Sequence, residues 1–101
     1  MKVLFLPHRC TDAGIVYLRG LSNLEGINLG LTQVTDIGLV HLEGFKKLKG
    51  IALSKTQVTD AGLVHLKGLT KLEWLHLDGT KVTDAGVQKL QKALPGCKII
   101  H

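Results

Sequence analysis

Residues 72–94 read LEWLHLDGTKVTDAGVQKLQKAL, and the hydrophobic period changes inside that stretch. Leu75 and Leu77 alternate with polar neighbours, as in a short strand with one buried face. Asp78-Gly79 supplies turn chemistry, and Thr80 and Val82 follow it. From Thr83-Asp84 onward the apolar residues Val87, Leu90 and Leu94 fall at helical spacing, with Thr83 as N-cap and Asp84 at the positive end of the helix. Gly86 sits too early in that helix for good propensity, which points to a close approach by a neighbouring element. The stretch therefore predicts a strand, a turn and a helix.

The same stretch recurs upstream. Thr-Asp pairs stand at 11–12, 35–36, 59–60 and 83–84, and Gly14, Gly38, Gly62 and Gly86 keep the same 24-residue step. Residues 24–47 and 48–71 are identical at 16 of 24 positions, so the chain is an array. A period of this length marks units that cannot bury their apolar face alone and stack on one another. Strand, turn and helix then repeat through right-handed crossovers.

The repeated pattern L-x-x-L-x-L-x-x-T-x-V-T-D-x-G-L-x-x-L resembles the leucine-rich repeat family, in a 24-residue bacterial form. The resemblance implies an α/β solenoid, with a parallel strand ladder inside and helices outside. It covers one domain, residues 1–101, in units 1–23, 24–47, 48–71 and 72–95 and a final strand 97–101. The family's usual turn asparagine is replaced by Thr32, Thr56 and Thr80, with His8 in the first unit. Threonine hydroxyls are expected to bond the adjacent turn, as a ladder through the stack. Glu25, Lys49 and Glu73, with Lys98 continuing them, form one alternating charge ladder; Arg19, Glu43 and Lys67 form another. The expected core is Leu29, Leu53, Leu77, Val34, Val58, Val82, Leu18, Leu42, Leu66 and Leu90.

Composition excludes much else. The chain has 101 residues, 45% hydrophobic and 21% charged, enough for one core and neither disordered nor fibrous. No apolar run approaches the ~20 residues of a membrane span, and Val3–Leu6 is too short for a signal-peptide core. With no leader or span in the sequence, a cytoplasmic location is expected if the chain is complete. The net charge is +5, with lysines spread along the chain and only four aromatics. Without rings interleaved among the bases, the lysines read as solvated and no nucleic acid is expected as partner. Cys10 and Cys97 fall at opposite ends of the stack, too far apart for a bridge, and read as small core residues. The histidines form no cluster with metal-ligand spacing, and His41 and His65 read as repeated surface residues. No metal or cofactor is expected.

The resemblance implies a partner surface on the concave strand face. There the sequence places Trp74, His76 and Asp78 on the fourth strand, with Ser54, Lys55 and Asn28 beside them. A large amphipathic ring beside titratable groups suits a binding hot spot. Against that reading, Trp74 covers Gly50 next door and fills a gap. Ser54, His76 and Asp78 evoke a hydrolytic triad, but an open sheet offers no oxyanion hole, so no enzyme is expected. The function read here is a non-enzymatic module that binds a protein or peptide. The alternative is a structural unit that assembles with copies of itself or with further repeats. For that alternative, the first strand, Met1–Leu6, is taken to point Val3 and Phe5 inward and Leu4 and Leu6 to the opposite face. Its apolar edge (Val3, Leu4, Phe5, Leu6) would then join two copies as a two-fold dimer.

Overall fold

The computed structural model describes residues 2–101, and Met1, expected to open the first strand, lies outside the described residues. Strands β1 (Val3–Phe5), β2 (Gly26–Asn28), β3 (Gly50–Ala52), β4 (Trp74–His76) and β5 (Lys98–Ile100) form a parallel sheet in chain order. Helices α1 (Asp12–Val16), α2 (Asp36–Leu39), α3 (Asp60–Leu63) and α4 (Asp84–Ala93) cross from each strand to the next. Helices α2 and α3 tighten into 3₁₀ extensions, Val40–Gly44 and Val64–Leu66. Helix α4 keeps α geometry for ten residues. Gln88, Lys89, Gln91 and Lys92 are good helix formers there, where the second unit carries β-branched Val40 and Gly44. The result is the α/β leucine-rich repeat solenoid, with strands on one side and helices on the other.

Burial follows the repeat. Ile27, Ile51 and Leu75 point inward from the strands, and Leu29, Leu53 and Leu77 follow them, all at most 1% exposed. Leu42, Leu66 and Leu90 meet them from the helical side, and Val34 and Val58 close the turns. Fully burying each such side chain contributes about 1.5–3 kcal/mol. Leu18 and Val82 are only partly buried, since each packs against a repeat on one side alone.

An aspartate holds consecutive units in register. The Thr35 amide and hydroxyl both donate to the Asp12 carboxylate, at 2.7 and 2.5 Å. Thr59 does the same to Asp36 (2.8 and 2.5 Å) and Thr83 to Asp60 (2.8 and 2.6 Å). The early helical glycine makes room for this clamp. A Cβ on Gly62 would fall on the Asp36 carboxylate, and one on Gly86 on that of Asp60. The expected close approach at these glycines is therefore real, and the approaching group is a carboxylate.

Four expectations need correction. The threonines at 32, 56 and 80 do not ladder between units. Each hydroxyl donates to a carbonyl three residues back in its own turn, Leu29 (2.6 Å), Leu53 (2.8 Å) and Leu77 (2.6 Å). The Asp–Thr clamps carry the inter-unit bonds instead.

Second, β1 shows the opposite faces from those expected. Val3 pairs with Gly26, Leu4 with Ile27 and Phe5 with Asn28. Leu4 and Leu6 therefore pack on the core, while Val3 is 50% and Phe5 72% exposed. The reason is a turn one residue shorter than in later units. The later turns carry a residue with positive φ (Leu31 62°, Lys55 60°, Gly79 75°), and the first has none. The Cys10 amide closes it directly on the Pro7 carbonyl at 2.9 Å. A one-residue slip transfers every side chain of a strand to the other face.

Third, Cys97 does take a buried strand-opening position, its amide bonding Leu94 as that of Leu72 bonds Leu69. Lys98, however, pairs with Trp74 rather than following Glu73 in the charge ladder, because no residue separates it from Cys97. Fourth, the second charge ladder gives way to another contact: Glu43 bonds the His65 ring at 2.6 Å. In the first ladder Lys49 reaches Glu25 at 3.9 Å.

Candidate functional site

The three-residue strands turn alternate side chains to the concave face, so register alone composes that face. One row across it reads Val3, Gly26, Gly50, Trp74 and Lys98. The next reads Phe5, Asn28, Ala52, His76 and Ile100. The middle of the sheet is nearly bare of side chains, and larger groups stand at both sides.

Trp74 leans over the bare strip. A Cβ on Gly50 would overlap its indole, so the ring lies directly on the β3 backbone. Trp74 nonetheless stays 36% exposed, and its ring meets that of His76 at a centroid distance of 4.9 Å and a tilt of 50°. Gap filling and surface display are combined in one side chain. Val3 covers Gly26 in the same way, its methyl 3.1 Å from where a Cβ would stand.

Asp78 continues the fourth strand's line. The Ser54 hydroxyl donates to its Oδ1 at 2.7 Å and, as the main cause, holds the carboxyl below its usual range. Nearby His76 and Lys55 push in the same direction. The serine proton is thus directed at the carboxylate, which is not the relay a nucleophilic triad uses. Asn28 accepts the Gly30 amide on Oδ1 at 2.9 Å, which leaves its NH₂ as a donor to the face. An open depression of about 440 Å³ lies between Asn28, Leu31, Ala52, Ser54, Lys55 and His76.

The structure thus brings Trp74, His76, Asp78 and Ser54 into one cluster, and sets Lys55 and Asn28 along the depression. Of the first strand's residues, Val3 and Phe5 join the concave face and Leu4 does not, while half-buried Leu6 packs on the core and also lines one end of the depression. Sequence reasoning missed Phe5 as a surface residue; Pro7 aligned with Gly30, and no counterpart of Leu31, was the signal that would have found it. Among the described residues no group of three or more His, Cys, Asp or Glu could hold a metal ion. Among the same residues no helix is long and apolar enough to cross a membrane. Burial raises both thiols, Cys10 with added repulsion from Asp12, so neither is poised as a thiolate.

No protein-family profile matches the chain, and no curated protein does. Solved structures do. Internalin C2 from Listeria monocytogenes is 30% identical over the whole of this chain, with a TM-score of 0.76. This chain spans 41% of that protein's length. A leucine-rich repeat protein of Leptospira interrogans matches 99% of the chain at 23% identity and a TM-score of 0.66, over 23% of its own length. A second Listeria internalin matches 82% of the chain at 18% identity and a TM-score of 0.59, over 29% of its own length. The last two show the fold alone. The 24-residue pattern, the parallel strand ladder and the likeness to internalin C2 over the whole of this chain together show a leucine-rich repeat solenoid.

Proposed function

We propose that this chain is a non-enzymatic interaction module whose concave strand face binds a protein or peptide, centred on Trp74, His76 and Asp78. The observation that carries the reading is a cluster already ordered without a partner. Trp74 is pinned on Gly50 and tilted against His76, and Asp78 is held by Ser54, all on a sheet otherwise stripped of side chains. Groups fixed in advance lose little entropy on binding. The depression beside the cluster, between Asn28, Leu31, Ser54, Lys55 and His76, gives a partner chain room to approach. Panning a random-peptide library on the immobilised chain tests this. Enriched peptides should shift the fluorescence of Trp74, the only tryptophan, and bind the Trp74→Ala variant at least about tenfold more weakly. No enrichment, or equal binding to a folded Trp74→Ala variant, contradicts it.

A second reading has its own observation. Val3 and Phe5 are exposed beside the one-sided edge of β1, a surface that suits contact with another copy. Because Leu4 and Leu6 face the core, the informative variant is Val3→Lys with Phe5→Lys. Light scattering should show a dimer that this variant abolishes. A monomer at about 100 µM dismisses self-assembly.

A further inference from the structure

Lysines that look scattered in the sequence collect on one edge of the solenoid. The segments leading from helices back into strands, taken from the equivalent positions Arg19, Glu43 and Lys67 onward (19–25, 43–49 and 67–73), hold Arg19, Lys46, Lys47, Lys49, Lys67 and Lys71, against Glu25, Glu43 and Glu73. All six bases are exposed. The opposite edge, where strands lead into helices, holds Asp12, Asp36, Asp60, Asp78 and Asp84 against only Arg9, Lys55 and Lys81. The chain's positive charge therefore has a direction. Among the described residues, Lys46, Lys47, Lys67 and Lys71 enter no ion pair. Lys47 donates to Asn23 of the preceding unit at 2.8 Å, and the Lys46 ammonium lies beside Gly68 of the following unit.

This edge is continuous with the concave cluster. Lys49 immediately precedes Gly50, on which Trp74 lies, and Lys98 stands in register with Trp74 itself. We propose that the partner is an acidic segment of a protein, its apolar side chains held against Trp74 and its carboxylates paired along the lysine edge. The proposal rests on the concave-face reading and adds the partner's chemistry. Charge complementarity favours an acidic chain. A nucleic acid fits less well, since Tyr17 is the only exposed ring among these bases and glutamates interrupt them.

The test is fluorescence anisotropy with the full 101-residue chain. The probes are a labelled glutamate-rich peptide of about twelve residues with two central leucines, and single-stranded DNA of about equal length. The peptide should bind, and weaken at least about tenfold between roughly 50 and 300 mM salt. Lys46→Glu with Lys71→Glu should weaken it about tenfold, and Lys81→Glu with Lys89→Glu less than about twofold, although the net charge changes equally. Trp74→Ala should also weaken it. If only Trp74→Ala weakens binding, the lysine edge is not used and this proposal fails while the concave reading stands. If only the edge variant does, the concave reading fails. Tighter binding of DNA, equal effects of the two charge variants, or no peptide binding each overturn the proposal.

Discussion

Exchanging Gly62 for alanine should destabilise this protein, although the same exchange in an ordinary helix stabilises it. Alanine gains about 0.8–1 kcal/mol of helix propensity over glycine. Here the new methyl lands on the Asp36 carboxylate and 2.9 Å from the Leu39 Cδ1. The leucine methyl can swing aside, but the carboxylate cannot move without leaving the Thr59 amide and hydroxyl it accepts at 2.8 and 2.5 Å. Hydrogen bonds to a charged group are worth about 1.5–3 kcal/mol each when buried. Asp36 is only half-buried, so about 2–3 kcal/mol for the pair is the appropriate scale. The net effect is a loss of about 1–2 kcal/mol, which lowers the melting temperature by roughly 5–15 °C for a domain of this size. Thermal and urea unfolding followed by circular dichroism measure it. Gly44→Ala is the control: a Cβ there meets nothing within 4 Å, so no loss is expected. In an Asp36→Ala background, Gly62→Ala should become neutral or favourable, with a coupling of at least about 1 kcal/mol in the double-mutant cycle. A stabilised Gly62→Ala single variant, or zero coupling, would refute the clamp.

Gly79→Ala should cost more than about 1 kcal/mol, because φ is +75° there and a Cβ would also press Lys55 Cγ at 2.8 Å; urea midpoints check it. Leu31→Gly, at φ 62° on an exposed tip, should be tolerated or slightly stabilising by the same assay. Asp60 is held below the usual carboxylate range chiefly by the Thr83 hydroxyl, then by the Thr83 amide. A depressed folded pKa means its stabilisation is complete above the unfolded value, near 3.9, and is lost as pH falls through the lower folded value. Thr83→Val should raise the Asp60 pKa, read by carboxyl NMR titration, and an unchanged value contradicts the assignment. Trp74→Ala should cost about 2–3 kcal/mol, since roughly two-thirds of a ring that would bury about 150–250 Å² is covered. A melting temperature unchanged by that substitution would mean the indole does not rest on Gly50.

The repeat was legible because one pattern was written four times. Leu29, Leu53 and Leu77, or Leu42, Leu66 and Leu90, needed only alternation and helical spacing to be placed in the core. The faces of β1 were not legible by counting back 24 residues, because a single residue is missing from the Pro7 turn. The gap shows only when Pro7 is set against Gly30, which leaves Leu31 without a counterpart. The Asp–Thr clamp was half legible. Thr83 and Asp84 read as helix-end chemistry inside one unit, since a sequence shows a cap locally but not the Asp60 carboxylate arriving from the unit before. Trp74, His76 and Asp78 were legible as a line on one strand. That the indole rests on Gly50 and that the Ser54 hydroxyl donates a hydrogen bond to Asp78 depend on side-chain directions that register makes possible but does not dictate. The basic edge was hidden for a related reason: spacing along the chain says little until the solenoid folds each lysine-bearing loop onto the same side.

The most direct measurement of the central claim is a ¹H–¹⁵N titration of the labelled chain with a peptide enriched on it. The concave-face account expects the Trp74 indole resonance to move together with amides of β3, β4 and the turn from Ser54 to Lys55, while amides of α2 and α3 stay in place. Shifts confined to the helices, with the indole unmoved, would contradict it.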